Sequence, residues 1–144
     1  MDNKNKPGDT AGLSDYEQDA LEKGTDFRIA VGVRFLEREI GYAKAEMDIL
    51  PWHLNPLGII HGGCLFTLAD TTSGASALGR GGRVSTVNGS INYLKAGKNT
   101  TKIVAEAHEI KYGRTLSVCE AKIFNDKGEL LATTSMTFFH MKDE

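Results

Sequence analysis

The chain has 144 residues, enough for one domain with a workable core, and its 40% hydrophobic and 25% charged residues are those of a soluble globular protein. A formal net charge of −2 and a sequence pI near 6.1 argue against a general nucleic-acid or membrane-surface binder. No apolar stretch approaches the roughly 20 residues of a membrane span, and the opening MDNKNKPGDTAG lacks the apolar core of a signal peptide, so a cytoplasmic location is expected.

Residues 1–12 are polar and broken by Pro7 and Gly8, and are expected to form a disordered lead-in to a single folded domain over 13–144. Ser14-Asp15-Tyr16-Glu17 reads as a capping box, with Ser14 as N-cap of a short helix that ends near Gly24. From Phe27 the period changes. Phe27, Ile29, Val31, Val33 and Phe35 alternate with Arg28, Ala30, Gly32 and Arg34, the pattern of a half-buried strand. After a turn at Gly41, residues 42–49 form a second strand with Ala43, Ala45, Met47 and Ile49 on one face. The loop PWHLNPLG leads into a long helix from about Ile60 to Leu78, in which Leu65, Leu68, Ala69, Thr72 and Ala75 recur at helical spacing. Gly79 to Gly82 stop it. Four strand-like runs follow, at about 84–95, 102–111, 115–125 and 129–140, joined by turns with AGKN, YGR and NDKG. Consecutive strands with short turns favour an antiparallel sheet and an α+β class, with one sheet face buried on the long helix. The small residues of that helix, among them Gly62, Gly63, Ala69, Ser73 and Gly74, suit a curved sheet that wraps it closely.

Several residues could carry chemistry. Three glycines crowd the helix start, although glycine weakens a helix interior. The first N–H groups of a helix are unpaired and carry partial positive charge. Gly62 and Gly63 therefore suit a donor site for a carbonyl oxygen becoming an oxyanion, or else close packing against the sheet. Asp70 interrupts the apolar run and is either on a solvated face or partly buried for a reason. His61 alone is a weak signal, Asn55-Pro56 reads as a turn, and His53, His108 and His140 form no metal-binding cluster with it. Arg80 and Arg83 flank a glycine run that ends a helix, the wrong context for a phosphate loop, though both could touch an anionic ligand. Cys64 and Cys119 are too few and too distant for a disulfide framework or zinc site, and are read as reduced and structural. No G-x-S-x-G nucleophile motif is present.

Together, Asn55, Gly58, His61-Gly62-Gly63, Leu68 and Asp70 form an N-x-x-G-x-x-H-G-G…L-x-D pattern that resembles the hotdog-fold acyl-CoA thioesterases of the phenylacetate-degradation type. The resemblance covers about residues 27–141, because the strand order matches as well. It implies a sheet wrapped around a central helix and dimers that join their sheets edge to edge. It further implies that the Gly62 N–H polarises the thioester carbonyl, that Asp70 is nucleophile or general base, and that Asn55 and His61 position the substrate and its loop. A strand hydroxyl that holds the attacking water in relatives maps to Thr86, or to Ser85 if the register slips by one. The turn Lys111-Tyr112-Gly113-Arg114-Thr115 resembles a basic turn near the coenzyme A tail, so Lys111, Gly113 and Arg114 join Gly63, Arg80 and Arg83 as substrate-binding candidates. Coenzyme A is then part of the substrate, and neither a separate cofactor nor a metal is expected. The N-terminal helix is an addition to the pattern.

Gly62 and Asp70 are eight positions apart, about 12 Å along a straight helix. Two helices antiparallel about a twofold axis would bring Gly62 of one chain opposite Asp70 of the other. A homodimer with shared active sites, or a dimer of such dimers, is the expectation, without nucleic-acid or membrane partners. An enoyl-CoA hydratase on the same fold needs a D-x-N-P-x-H pattern; Asn55-Pro56 lacks the preceding Asp and the His comes too late. A non-catalytic acyl-CoA-binding module should lack the carboxylate that Asp70 supplies.

Overall fold

The computed structural model describes residues 15–142, so the lead-in expected over 1–12 and the cap expected at Ser14 lie outside the described residues. Helix α1 (Asp15–Lys23) ends at Gly24, whose φ of +64° suits a residue without a Cβ.

The strand expected from Phe27 is corrected: residues Phe27–Val31 form a short helix, α2, and the strand begins only at Val33. The reason is local capping. The Asp26 carboxylate accepts a hydrogen bond from the Arg28 N–H at 3.0 Å, and Gly32 closes the other end with φ +97°. Apolar alternation could not see either cap.

Strands β1 (Val33–Glu39) and β2 (Tyr42–Asp48) form a hairpin turned at Gly41, where φ is +74°. A 3-10 turn (Pro51–His53) precedes the long helix α3 (Gly62–Ala77). Strands β3 (Arg83–Tyr93), β4 (Lys102–Tyr112), β5 (Leu116–Asn125) and β6 (Leu130–Met141) complete the chain, each within two residues of its expected ends. The six strands form one antiparallel sheet in the order β1-β2-β4-β5-β6-β3, which leaves β1 and β3 as edges.

The sheet buries one face on α3. Rows of small residues cross it, Ala43 opposite Ala107 and Ala107 opposite Ala121, with Ala45 opposite Ala105 in the next row. All are buried, as are Leu65, Leu68, Ala69, Thr72, Ser73, Ser76 and Ala77 on the facing side of α3. Small side chains on both surfaces let helix and sheet approach closely, with Met47, Ile103, Ile123, Met136 and Phe138 filling the rest of the core. Two polar members of that helix face bond back along it, Thr72 Oγ1 donating to Leu68 O at 2.6 Å and Ser76 Oγ to Ser73 O at 2.7 Å, whereas the buried Ser73 Oγ has no partner among the described residues.

His53 ties this frame together. It is 1% exposed; its Nδ1 accepts from the Leu50 N–H at 2.8 Å while Nε2 lies 3.0 Å from Val31 O and donates to it. The ring is therefore held neutral, and burial pushes its pKa below the usual histidine range. A depressed folded-state pKa means that the unfolded chain takes up the proton first. Stability should therefore be highest above about pH 6.5 and fall as the pH drops from there through the lowered folded-state pKa. Melting temperatures from pH 8 to 5 should show that loss, and a His53→Asn protein should lose less over the same interval.

Candidate functional site

The loop before α3 is built by Asn55. Its Oδ1 accepts from the N–H groups of Leu57 at 2.9 Å and Ile59 at 3.1 Å, and Gly58 turns the chain with φ +72°. The returning strand is fixed by Ile60 N–H to Gly97 O at 3.0 Å and His61 N–H to His53 O at 2.8 Å. His61 is the N-cap of α3: its Nδ1 accepts from the Gly63 N–H at 2.8 Å. That bond corrects the expectation of two donors side by side. The Gly63 N–H is taken by the cap, whereas the Gly62 N–H has no acceptor among the described residues.

Tyr93, on the edge strand β3, completes this end, and no spacing in the sequence points to it. Its hydroxyl donates to Gly62 O at 2.9 Å, and a Cβ added at Gly62 would lie 2.8 Å from that oxygen and 2.9 Å from Cζ. A side chain at 62 would therefore push the half-exposed tyrosine ring off the Gly62 carbonyl. Gly62, His61, Tyr93 and Lys95 line a cavity of about 540 Å³.

Asp70 lies two turns further on, half-buried on the face of α3 turned away from the sheet centre. Thr86 Oγ1 donates to Asp70 Oδ1 at 2.8 Å. The register explains why this is Thr86 and not Ser85. Thr86 pairs with Phe138, which is buried under α3, whereas Ser85 pairs with the exposed Phe139 on the opposite face. A bulge between Thr86 and Asn88 follows directly. Burial pushes the Asp70 pKa above the usual carboxylate range, and the hydrogen bond from Thr86 opposes that shift. Asp70 and Thr86 open on a larger cavity of about 850 Å³, walled by Phe27, Phe35, Phe66 and Phe138. The two ends of the motif therefore face separate cavities within one chain.

The basic candidates are scattered. Arg80 is not a free anion receptor: its Nη1 bonds both Glu109 oxygens, at 2.7 and 2.9 Å, and its guanidinium stands 4.3 Å from the Tyr112 ring centre. That contact places it beside the β4–β5 turn, where Lys111 and Arg114 are exposed. Gly113 is needed for packing there, since an added Cβ would meet Leu116 O at 2.2 Å. Arg83, at the start of β3, is exposed. Among the described residues no group of His, Cys, Asp and Glu could hold a metal ion, Cys64 and Cys119 are unpaired, and no helix is long and apolar enough to cross a membrane.

Residues 57–132 match the thioesterase superfamily. A protein of Archaeoglobus fulgidus that carries an esterase name is 32% identical over 129 residues, spanning 90% of this chain and 80% of its own. Human acyl-coenzyme A thioesterase 13 is 31% identical over 117 residues, 78% of this chain and 84% of its own. Among solved structures, a hypothetical thioesterase of Streptococcus pneumoniae with coenzyme A superposes with a TM-score of 0.75 at 30% identity, covering 81% of this chain and 92% of its own. Two variants of that protein, an Asp→Ala and a Thr→Ala, lie 16 positions apart in its sequence, the separation of Asp70 and Thr86 here.

Proposed function

Because this chain belongs to the thioesterase superfamily, we propose that it hydrolyses an acyl-coenzyme A to a free acid and coenzyme A at a site shared between two copies of the chain. The observation that carries the reading is the pairing of a half-buried carboxylate with a strand hydroxyl on a cavity wall, Thr86 Oγ1 to Asp70 Oδ1 at 2.8 Å. The names of the human and pneumococcal relatives supply the substrate class.

In this mechanism the thioester carbonyl oxygen meets the Gly62 N–H, a donor aimed by the helix start and therefore suited to the negative charge that grows on it. His61 and Tyr93 hold the peptide that follows, so the donor keeps its direction as the reaction proceeds. Asn55 holds the loop that delivers His61 and Gly62 to their positions. The ionised Asp70 either attacks the carbonyl carbon or takes a proton from the water that does; Thr86 orients that water and supports the ionised form. Coenzyme A leaves as the thiol. The exposed Arg83, Lys111 and Arg114 suit its phosphates, and Arg80 braces the same turn through Glu109.

The shared site rests on distance. Gly62 and Asp70 are about 12 Å apart along one helix, beyond the reach of a single carbonyl. Edge strand β3 offers the means of assembly, because its outer side has no strand partner among the described residues and most of its residues are exposed.

A panel of acyl-coenzyme A esters with thiol release followed over time tests the activity. Thr86→Val should lower kcat by roughly 10–100-fold, the loss expected for one hydrogen bond to a charged group. It should also move the acid limb of the pH profile upward, since the bond that favours the ionised Asp70 is gone. Ser85→Ala, on the other face, should leave both unchanged; the reverse pattern would assign the water to Ser85.

A further inference from the structure

Strand β1 carries a device that the proposed hydrolysis does not use. With unbroken alternation, Phe35 and Glu37 would face the same side of the sheet. The register instead shifts by one between them, leaving Leu36 as an extra residue. Phe35 now pairs with Ala45 and Arg38 with Ala43, and both alanines are fully buried under α3. Phe35 and Arg38 therefore share the inner face, while Glu37 and Glu39, opposite Lys44 and Tyr42, turn to the outer one. The bulge brings the Arg38 guanidinium to the wall of the cavity that holds Asp70, a wall that Arg28 and Glu39 also line.

The guanidinium lies 3.7 Å from the Phe35 ring centre. Arg28, Arg34 and Arg80 each pair with a carboxylate, whereas among the described residues none lies within ion-pair distance of Arg38. Stacking on Phe35 covers one face of the group and leaves its N–H edge able to bind an anion in a two-pronged manner. Arg38 itself is exposed, so water partly screens such a bond, with the Phe35 ring shielding one face of the guanidinium.

We propose that Arg38 determines specificity by binding a carboxylate at the far end of the acyl group, so that the substrates include coenzyme A monothioesters of dicarboxylic acids. The inference rests on the reading of the cavity beside Asp70 as the acyl site. A methyl-ended chain would fill the aromatic part of the cavity and leave Arg38 without an anion; an ω-carboxylate satisfies both.

Adipyl- and hexanoyl-coenzyme A have six-carbon acyl groups and differ in that terminal group. Their affinities are best measured by calorimetry on Asp70→Asn protein, where the ester is not consumed, and their hydrolysis on the otherwise wild-type chain. Adipyl-coenzyme A should bind about 2–10-fold more tightly than hexanoyl-coenzyme A, the range for one hydrogen-bonded contact at a solvent-accessible charge. Adding Arg38→Met should bring the ratio near one by weakening only the adipyl ester, and Arg38→Lys should restore part of it. Equal affinities before the Arg38 change would overturn the proposal. So would equal losses for both esters on Arg38→Met, which would assign the arginine to the coenzyme A phosphates. Discrimination in binding without hydrolysis of either ester would uphold Arg38 and refute the thioesterase reading instead.

Discussion

Asp70→Asn should lower turnover by roughly 10²–10⁴-fold, the usual contribution of a positioned acid–base group, while acyl-coenzyme A still binds. The amide keeps the shape of the side chain and can still accept the Thr86 hydroxyl bond. It cannot attack a carbonyl or take a proton from water. Loss of activity alone would not separate chemistry from folding, but the titration of Asp70 does. Its carboxyl pKa is raised by burial, so the ionised form present at neutral pH is disfavoured in the folded protein. The stability associated with that raised pKa is present at low pH and lost as the pH rises through it. An amide has no charge to bury. Asp70→Asn should therefore melt at the same or a higher temperature than the wild type at pH 7, while losing turnover. In the wild type, kcat should fall on the acid side with a midpoint above the ordinary carboxylate range. Near-normal hydrolysis by Asp70→Asn would remove this carboxylate from the mechanism.

How much of this was legible in the sequence differs by element, for physical reasons. The strands after α3 follow hydrophobic alternation bounded by turn residues, and their ends were readable to within two positions. The stretch from Phe27 was not, because a five-residue helix is set by Asp26 and Gly32 and not by periodicity. Bulges were equally hidden. Those after Phe35 and Thr86 reassign the face of the residues around them, and that reassignment puts Thr86 beside Asp70 and Arg38 into the cavity. In the motif, neither contact was read. The His61–Gly63 cap takes an N–H that was expected to serve a ligand, and Tyr93 reaches Gly62 from 31 positions away through the sheet. Arg80 shows the same limit in reverse. Its charge suggested an anion site, but Glu109, 29 positions later, already bonds it.

Mixed dimers test whether each active site draws on two chains. Asn55→Ala breaks the loop that delivers Gly62, and Asp70→Asn removes the carboxylate. As homodimers, both should be nearly inactive, because a twofold axis repeats each lesion in both sites. The two variants, carrying different affinity tags, can be co-expressed and the doubly tagged dimer purified, its composition checked by native mass. If Gly62 and Asp70 of a site come from opposite chains, one site of the mixed dimer holds both lesions and the other holds none. The mixed dimer should then recover about half of wild-type activity, taking the two sites as independent. If each site were built from a single chain, every site would keep one lesion. A mixed dimer of confirmed composition as inactive as its parents would contradict the shared site.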